Sequence, residues 1–257
     1  MSFQIRGIHS IVPSSGMKIS IIVPAFNEEK LISETLRRIN TAAAAFSERG
    51  WGSELIVCDN NSTDRTAELA KEAGAQVVFE PVNQIARARN TGASAASGDW
   101  LLFIDADSHP QPELFADVAR AIESGDCLAG GSTVKLDASP LAGRLAIVVW
   151  NCISRSTRSC AGSFIFCEAP AFRRIGGFSL ELFVTEELEL SKRLRKLAKE
   201  SGKRIVILHQ HPLTTSSRKL GLYSGWEHVR FMGRTVLGFG RTLKSAKECH
   251  IWYDGRR

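Results

Sequence analysis

Short apolar runs in this chain are each followed by a polar turn and then by a segment with helical periodicity. This alternation is typical of α/β proteins, in which helices connect the strands of a mostly parallel sheet. It predicts strands over residues 19–23, 55–58, 76–79, 100–104, 127–136, 162–167 and 205–208. Helices are predicted over residues 28–46, 64–73, 83–96, 112–124 and 140–153, and from about residue 185 onward. With 257 residues, the chain is long enough for one large α/β domain.

The composition argues against several classes of protein. No window holds the roughly 18 to 20 uninterrupted apolar residues of a membrane span, and residues 1–16 lack the apolar centre of a signal peptide. The six cysteines form no Cys-x-x-Cys pair and no zinc-like spacing, which favours a reduced, cytoplasmic compartment. A net charge of +6 suits an anionic partner such as a nucleotide diphosphate or a phospholipid surface. No nucleic-acid motif accompanies this charge, so no nucleic-acid partner is expected.

Two aspartates, Asp105 and Asp107, follow the predicted strand at residues 100–104 and are separated by Ala106. Strand ends of this kind border the ligand crevice of open α/β sheets. Two carboxylates one residue apart at a turn can hold one hard cation, such as Mg²⁺ or Mn²⁺, against a diphosphate. The same pattern also arises as turn and helix-capping chemistry, so the triplet by itself leaves both interpretations open.

Polar residues at other strand ends favour the metal interpretation. Residues 24–28 end the first predicted strand and residues 59–64 follow the second, so a parallel sheet brings both to the edge that holds Asp105. Arg87 and Arg89 lie one helix before the aspartates, where guanidinium groups can meet a donor or its phosphates. An exposed helix face is the alternative for these two arginines.

Four segments carry a further signal and read, in order, IIVPAFNEE, VCDNNSTDRT, ARARNTGASAASGDWLLFIDAD and Glu186-Glu187-Leu188-Glu189. In this combination they resemble the family 2 glycosyltransferases, which are inverting enzymes with the GT-A fold. The resemblance covers roughly residues 18–208. It implies a mostly parallel, Rossmann-like central sheet flanked by helices, a nucleotide-sugar donor and a divalent metal, Mn²⁺ or Mg²⁺. It also implies donor contacts from these residues: Pro24, Phe26, Asn27, Glu28, Asp59, Arg87, Arg89, Asn90, Asp105 and Ala106.

The resemblance places the metal ligands at Asp105 and Asp107. It extends this set to His109, two residues beyond the second aspartate, and to His209, which with His211 follows the last predicted strand. Ordinary turn histidines are the alternative for all three.

Inversion requires a base that accepts the proton of the acceptor hydroxyl. The family usually has Glu-Asp where this chain has Glu186-Glu187. Helical spacing places Glu187 on the same face as Leu190, Leu194 and Leu197, so its carboxylate must face a cavity or be satisfied by partners. We therefore predict Glu187, with Glu186 beside it, as the catalytic pair. A helix-start carboxylate favoured by the helix dipole is the alternative.

The predicted organisation has three parts. Residues 1–16 form an N-terminal leader, and residues 17–212 form the GT-A catalytic domain, with a nucleotide-binding half to residue 107 and an acceptor-side half from residue 108. Residues 213–257 form a C-terminal helical extension. Its basic, Trp-bearing segment 218–241 either packs as a helix on the catalytic domain or contacts the inner face of a membrane or another copy of the chain.

Several alternatives remain open at this point. The acceptor is not determined, with a lipid-linked molecule or a saccharide as candidates, and the oligomeric state is not determined, with a homodimer as a candidate. A sugar-nucleotide-binding pseudoenzyme is the alternative to an active transferase. A nucleotidyltransferase is a weaker alternative, because the glycine- and lysine-rich loop that it needs after the first strand is missing.

Overall fold

The computed structural model describes residues 16–137 and 141–216. In this part of the chain, the strands are β1 (Lys18–Ala25), β2 (Gly52–Asp59), β3 (Gln76–Phe79), β4 (Trp100–Ile104), β5 (Ser108–His109), β6 (Cys127–Leu136), β7 (Phe164–Glu168) and β8 (Arg204–Thr215). The helices are α1 (Ile32–Ser47), α2 (Thr66–Glu72), α3 (Ile85–Ala95), α4 (Pro112–Glu123), α5 (Leu141–Thr157), α6 (Ala169–Arg174) and α7 (Glu186–Glu200).

The strands form one sheet in the order β3-β2-β1-β4-β7-β6-β8-β5. Strands β1 to β4 run parallel, with β1 between β2 and β4. Strand β7 pairs antiparallel with both β4 and β6, whereas β8 runs parallel to β6. The sheet is therefore mixed, and its parallel half is built from the strand–helix units that the sequence predicts. The carboxyl ends of β1, β2 and β4 consequently meet at one edge.

Alternate strand residues face opposite sides of the sheet, and each side has its own apolar core. Ile21 belongs to the core that α1 and α4 cover, where the rings of Phe46 and Phe115 stack with centroids 5.2 Å apart. Its neighbour Ile22 belongs to the opposite core, together with Phe103, and this side is covered by α3, α6 and α7. Helices thus flank the sheet on both faces, as the sequence predicts.

Helix α3 approaches the sheet very closely. A Cβ atom at Gly92 would lie 2.5 Å from Cγ2 of Ile22 in β1, so the approach depends on a glycine at this position. Arg89 lies about one turn earlier on the same helix and is fully buried. The close packing of α3 thereby carries a guanidinium group into the interior of the protein.

Several element boundaries differ from the prediction. Helix α1 begins at Ile32 instead of residue 28, because the carbonyl of Glu28 accepts hydrogen bonds from the backbone of Leu31 and Ile32 in a turn. Strand β8 continues to Thr215 instead of ending at residue 208, because its later residues still pair with β6. The domain boundary expected at residue 212 therefore lies inside a strand. Strand β5 and helix α6 are short elements that the sequence does not predict.

Within the described residues, no helix is both long enough and apolar enough to cross a membrane. The predicted leader lies outside the described residues except for Gly16. Residues 217–257 also lie outside them, and with them the basic segment 218–241, for which packing on the domain or contact with a membrane or another copy is predicted.

Candidate functional site

A cavity of about 270 Å³ lies at the edge of the sheet where β1 and β4 end. Ligand pockets commonly enclose roughly 300–1000 Å³, so this cavity is slightly smaller than the usual range. Nine of the predicted site residues line it: Pro24, Phe26, Glu28, Arg89, Asp105, Ala106, Asp107, Glu186 and Glu187. Residues from the strand ends, from α3 and from the start of α7 are thus brought together in one place.

The turn that carries the two aspartates is held from three sides. The backbone N–H of Ser108 donates to the carbonyl of Asp105 at 3.0 Å, which closes the turn. The hydroxyl of Thr35 in α1 donates to the carbonyl of Ala106 at 2.7 Å, and the N–H of Asp105 donates to the carbonyl of Ser163 at 3.3 Å. These contacts fix the backbone at the point where Asp105 and Asp107 face the cavity.

Arg89 connects the aspartate turn to helix α7. Its Nη2 atom donates to Asp105 Oδ1 at 3.0 Å and to the carbonyl of Gly162 at 2.9 Å, and its Nη1 atom donates to Glu186 Oε1 at 2.6 Å. Burial alone would lower the pKa of Arg89, but the charges of Asp105, Glu186 and Glu187 outweigh it and raise that pKa. Arg89 therefore stays charged and compensates the carboxylates around the cavity.

Glu186 and Glu187 open helix α7 directly after Thr185, whose backbone is left-handed at φ 67°. Glu186 is buried in its ion pair with Arg89, and Glu187 is half-buried in the cavity wall. Burial, followed by the charge of Glu186, raises the pKa of Glu187 well above its ordinary value, although Arg89 opposes the shift. A carboxyl group with a raised pKa can accept and release a proton closer to neutral pH, as a general base or acid requires.

The loops that follow β1 and β2 are bonded to each other. The N–H of Asn27 donates to the hydroxyl of Ser62 at 3.0 Å, and the N–H of Thr63 donates back to Asn27 Oδ1 at 2.8 Å. The N–H of Glu29 likewise donates to Asp64 Oδ2 at 3.1 Å. Asn27 itself has a left-handed backbone, with φ 52°. Its polar groups hold the two loops together, and the cavity wall does not include it.

Asp59 is another predicted donor residue that the cavity wall does not include. Its side chain is buried and accepts a hydrogen bond from the N–H of Ser62 at 3.2 Å. The next residue, Asn60, lines the cavity instead. Asn60 is held by Nδ2, which donates to the carbonyl of Val82 at 2.6 Å, and by Oδ1, which accepts from the N–H of Gln84 at 2.9 Å.

Arg87 and Asn90 also lie outside the cavity wall. The Nε atom of Arg87 donates to Glu80 at 3.3 Å. The side chain of Asn90 exchanges two hydrogen bonds of 2.9 Å with the backbone of Phe178. A Cβ atom at Gly177, where φ is +70°, would lie 2.6 Å from Asn90 Oδ1. Asn90 therefore clamps α3 to the loop before α7, and this clamp requires the glycine.

The three histidines occupy different surroundings. His109 lies in β5, and its Nε2 atom is buried without a hydrogen-bond partner among the described residues. Burial, followed by the charge of Arg38, lowers the pKa of His109 and favours a neutral imidazole. His209 is exposed on β8, and the Nδ1 atom of His211 contacts Asp117 Oδ2 at 3.0 Å. Both residues lie within β8, and neither His209 nor His211 belongs to the cavity wall that holds the two aspartates.

The donor atoms around Asp105 and Asp107 fit a metal ion that brings further ligands with it. Within residues 16–137 and 141–216, no three His, Cys, Asp or Glu side chains gather closely enough to hold an ion by themselves. Both aspartates nevertheless border the cavity and offer carboxylate oxygens, which Mg²⁺ and Mn²⁺ prefer. One oxygen of Asp105 is engaged by Arg89, so a metal ion at this place would need further oxygen ligands from a bound anion such as a diphosphate. The unpartnered Nε2 atom of His109, two residues further on, is a nitrogen donor close to them in sequence.

Sequence reasoning missed some of the cavity wall: Asn60, Asn83, Ile85, Gly162, Ser163 and Phe183. Gly162 is the most informative of these. A Cβ atom there would lie 3.3 Å from Nη2 of Arg89 and 3.5 Å from Cδ of Glu187. The lack of a side chain avoids a tight contact with Arg89, whereas the contact with Glu187 would be an ordinary one. A single glycine at the start of a predicted strand carries no signal of this role, because its contacts are far away in the sequence.

Comparison with protein families and curated proteins gives consistent results. A model of the family described as Glycosyl transferase family 2 matches residues 20–172. The chain is 35% identical over 124 residues to the dolichol-phosphate mannosyltransferase of Pyrococcus furiosus, and this match covers 45% of the chain and 33% of that protein. It is 30% identical over 166 residues to the undecaprenyl-phosphate 4-deoxy-4-formamido-L-arabinose transferase of Salmonella choleraesuis, and this match covers 61% of the chain and 49% of that protein. The matched region thus spans between a third and a half of the length of these relatives.

Solved structures share the fold. S. aureus TarS 1-349 in complex with UDP-GlcNAc has a TM-score of 0.62 at 19% identity, over 93% of this chain and 71% of that one. Mannosyltransferase PcManGT from Pyrobaculum calidifontis in complex with GDP-Man and Mn²⁺ has a TM-score of 0.60 at 18% identity, and the match covers 90% of this chain and 64% of that one. Glucosyl-3-phosphoglycerate synthase from Mycobacterium tuberculosis with Mn²⁺, UDP and phosphoglyceric acid has a TM-score of 0.59 at 20% identity, and the match covers 91% of this chain and 78% of that one. At these identities the likeness concerns the fold, and it confirms the predicted GT-A class.

Proposed function

We propose, since this chain belongs to glycosyl transferase family 2, that it moves a sugar from a nucleotide-diphosphate donor to an acceptor hydroxyl with inversion at the anomeric carbon. The observation that carries the proposal is the cavity, whose wall brings together two aspartates, a glutamate with a raised pKa and one buried arginine. Such a site offers one place for a diphosphate and its metal, and another for a base.

The donor side of the proposed site is the end of β1 together with the aspartate turn. Pro24, Phe26 and Glu28 would border the nucleotide, while Asp105 and Asp107 would hold Mn²⁺ or Mg²⁺, with His109 as a further candidate ligand. When bound, the ion supplies Lewis-acid stabilisation of the charge on the departing nucleoside diphosphate. The Mn²⁺ present with GDP-Man or with UDP in the similar solved structures supports this choice of cofactor.

The acceptor side is the start of helix α7. The acceptor oxygen attacks the anomeric carbon while Glu187 accepts the hydroxyl proton. The bond from the anomeric carbon to the diphosphate oxygen breaks, and its electron pair leaves with the nucleoside diphosphate. Glu186 is unsuited to the role of base, because its carboxylate is buried in the ion pair with Arg89. Arg89 acts as a positioning residue, since it holds Asp105 on the donor side and Glu186 on the acceptor side.

For the acceptor we propose a lipid-linked molecule, with a saccharide as the alternative. The names of the dolichol-phosphate and undecaprenyl-phosphate transferases support a lipid-linked acceptor, although the match covers less than half of each relative. The net charge of +6 also suits an acceptor that carries phosphate.

A donor panel tests the proposal. UDP-, GDP- and dTDP-sugars are screened with Mn²⁺ by thermal shift, and the stabilising donors are then assayed for release of nucleoside diphosphate. Asp107→Ala should abolish metal-dependent donor binding in calorimetry, whereas Asp126→Ala, at an exposed ion pair with Arg204, should not change it. Unchanged binding in Asp107→Ala would remove that residue from the metal site.

The same assay separates the alternatives. Binding of a donor without any release of nucleoside diphosphate, in the presence of lipid-linked and saccharide acceptors, would identify a pseudoenzyme. Release of pyrophosphate from a nucleoside triphosphate would identify a nucleotidyltransferase instead.

A further inference from the structure

Helix α5 presents a continuous apolar face to solvent. Of the seven exposed large hydrophobic side chains in the described part of the chain, four belong to this helix: Leu145 (58% exposed), Val148 (58%), Val149 (58%) and Ile153 (46%). Cys152 is also exposed, and with these four it forms a stripe at spacings of three and four residues, which we call the α5 face. The opposite side of the helix, with Ile147 and Trp150, packs against the core of the domain.

Both sides of α5 are therefore apolar, but only one side is covered within the described residues. Asn151 anchors the covered side, because its side chain exchanges hydrogen bonds of 3.0 and 2.9 Å with the backbone of Val134 in β6. The helix is thus fixed on the sheet with its α5 face outward. Scattered exposed apolar residues are normal, whereas a contiguous apolar stripe indicates an interaction surface.

The charged side chains of helix α5 itself are all positive. Residues 141–157 contain no Asp or Glu, and exposed Arg144 and Arg155 lie on the helix, followed by exposed Arg158 just after it. The side chain of Arg195 adds a further positive charge at the carboxyl end, where it donates to the carbonyl of Thr157 at 2.7 Å. Arginine side chains that flank an apolar helix face can reach toward phosphate groups while their stems stay on apolar surface.

We propose that the α5 face docks on an anionic lipid bilayer, with Leu145, Val149 and Ile153 in the interfacial layer and the arginines on lipid phosphates. Charge complementarity selects this occupant. A second copy of the chain would bring the same arginines toward one another. Residues 217–257 carry nine Lys and Arg against three Asp and Glu, so they repeat the positive sign of the face instead of complementing it.

The position of the face also gives docking a consequence for the cavity. The chain leaves α5 at Thr157, is attached to α7 where the N–H of Cys160 donates to the hydroxyl of Ser191 at 3.0 Å, and reaches the cavity wall at Gly162. Only a short segment, residues 158–161, thus separates the docking helix from the wall beside Glu187. A bilayer on the α5 face would therefore lie near the acceptor side of the proposed site.

A fluorescent probe on Cys152 tests the proposal directly. Cys58, Cys127, Cys160 and Cys167 are buried, and burial raises the pKa of the first three to about 12, so they react poorly with thiol reagents. With Cys249→Ser in the full chain, an environment-sensitive dye therefore labels Cys152. Vesicles of equal parts phosphatidylcholine and phosphatidylglycerol should shift its emission to the blue and allow quenching by spin-labelled lipid. Pure phosphatidylcholine vesicles should have little effect.

Sedimentation with the same vesicles provides the matched variants. Leu145→Ser/Val149→Ser/Ile153→Ser should lower the partition coefficient about tenfold or more, and Arg144→Gln/Arg155→Gln should lower it about fivefold per arginine. Phe79→Ser/Val82→Ser removes apolar side chains of similar exposure near β3 and should leave binding unchanged. Circular dichroism of each variant confirms that the fold is intact.

Three results would overturn the proposal. A blue-shifted probe in buffer alone would show that the protein itself covers the face, and a shift that depends on protein concentration would identify a second copy. Vesicle binding that leaves the Cys152 probe unchanged would place the membrane contact elsewhere. Neither measurement requires a sugar donor or turnover, so the outcome is independent of the proposed transferase activity.

Discussion

Replacing Arg89 by methionine should lower the free energy of unfolding by about 3–5 kcal/mol, because this arginine is fully buried and compensates two carboxylates. Its hydrogen bonds measure 2.6 Å to Glu186, 3.0 Å to Asp105 and 2.9 Å to the carbonyl of Gly162. A hydrogen bond to a charged group contributes roughly 1.5–3 kcal/mol, so the two carboxylate contacts alone account for the expected loss. Domains commonly have a total stability of about 5–15 kcal/mol, so the effect should be easily measured.

A second substitution separates the cost of an uncompensated charge from the loss of packing. In Arg89→Met, Glu186 stays buried without its cation, whereas in Arg89→Met/Glu186→Met apolar side chains replace the whole pair. Such replacement is often close to neutral, so the double variant should recover about 2 kcal/mol or more relative to Arg89→Met. Asp105 tolerates the change better than Glu186, because it is partly exposed.

Urea unfolding followed by far-UV circular dichroism measures Arg89→Met, Glu186→Met and the double variant, and an unchanged m-value establishes that the same surface unfolds. Arg65→Met is the control, because it breaks an exposed pair with Glu68 and should leave stability almost unchanged. The reasoning is refuted if Arg89→Met is no less stable than Arg65→Met, or if the double variant shows the sum of the two single losses.

Three further predictions concern the cavity and the loop beside it. Glu187→Gln should lower kcat by about 10²- to 10⁴-fold and leave the donor Kd unchanged in calorimetry, whereas a weaker donor Kd would assign Glu187 to donor binding. Because the base must be deprotonated and its pKa is raised, kcat/KM should increase with pH through an inflection above the ordinary glutamate range, and an inflection near about 4.3 would contradict this assignment. Gly177→Ala should destabilise the protein by about 2–4 kcal/mol in urea unfolding, from left-handed strain and the clash with Asn90. Gly176→Ala, at φ +80° with open space around it, should show only the strain of about 1–2 kcal/mol, and equal losses would exclude the clash.

Much of the cavity could be predicted because parallel strands end at one edge. This rule alone places Glu28 after β1 and Asp107 after β4 in the same cavity wall. The helical period of α7 correctly puts Leu190, Leu194 and Leu197 in the core, with Glu187 reaching the cavity from the same helix.

Some predicted donor residues lie outside the cavity wall and are bonded to near neighbours instead. Asn27 and Asp59 sit at strand ends, yet their side chains accept hydrogen bonds from adjacent loops. No pattern in the sequence distinguishes such a residue from one that faces a ligand, because both are polar residues in a turn. The pairing of Arg89 with Glu186 joins residues 97 positions apart, so it depends on the packing of α3 and α7.

The bonded loops after β1 and β2 have a consequence for the energetics of donor binding. A ligand that contacts these two loops finds them already ordered. Binding therefore costs less conformational entropy than it would if the loops were mobile. Asn27 and Ser62 can therefore influence affinity without touching a ligand, since loosening their contact would shift an ordering cost from folding to binding. The polar segment after β2 thus acts mainly by restricting the conformational freedom of the loops before a ligand binds. The donor affinity therefore depends on loops that folding has already ordered.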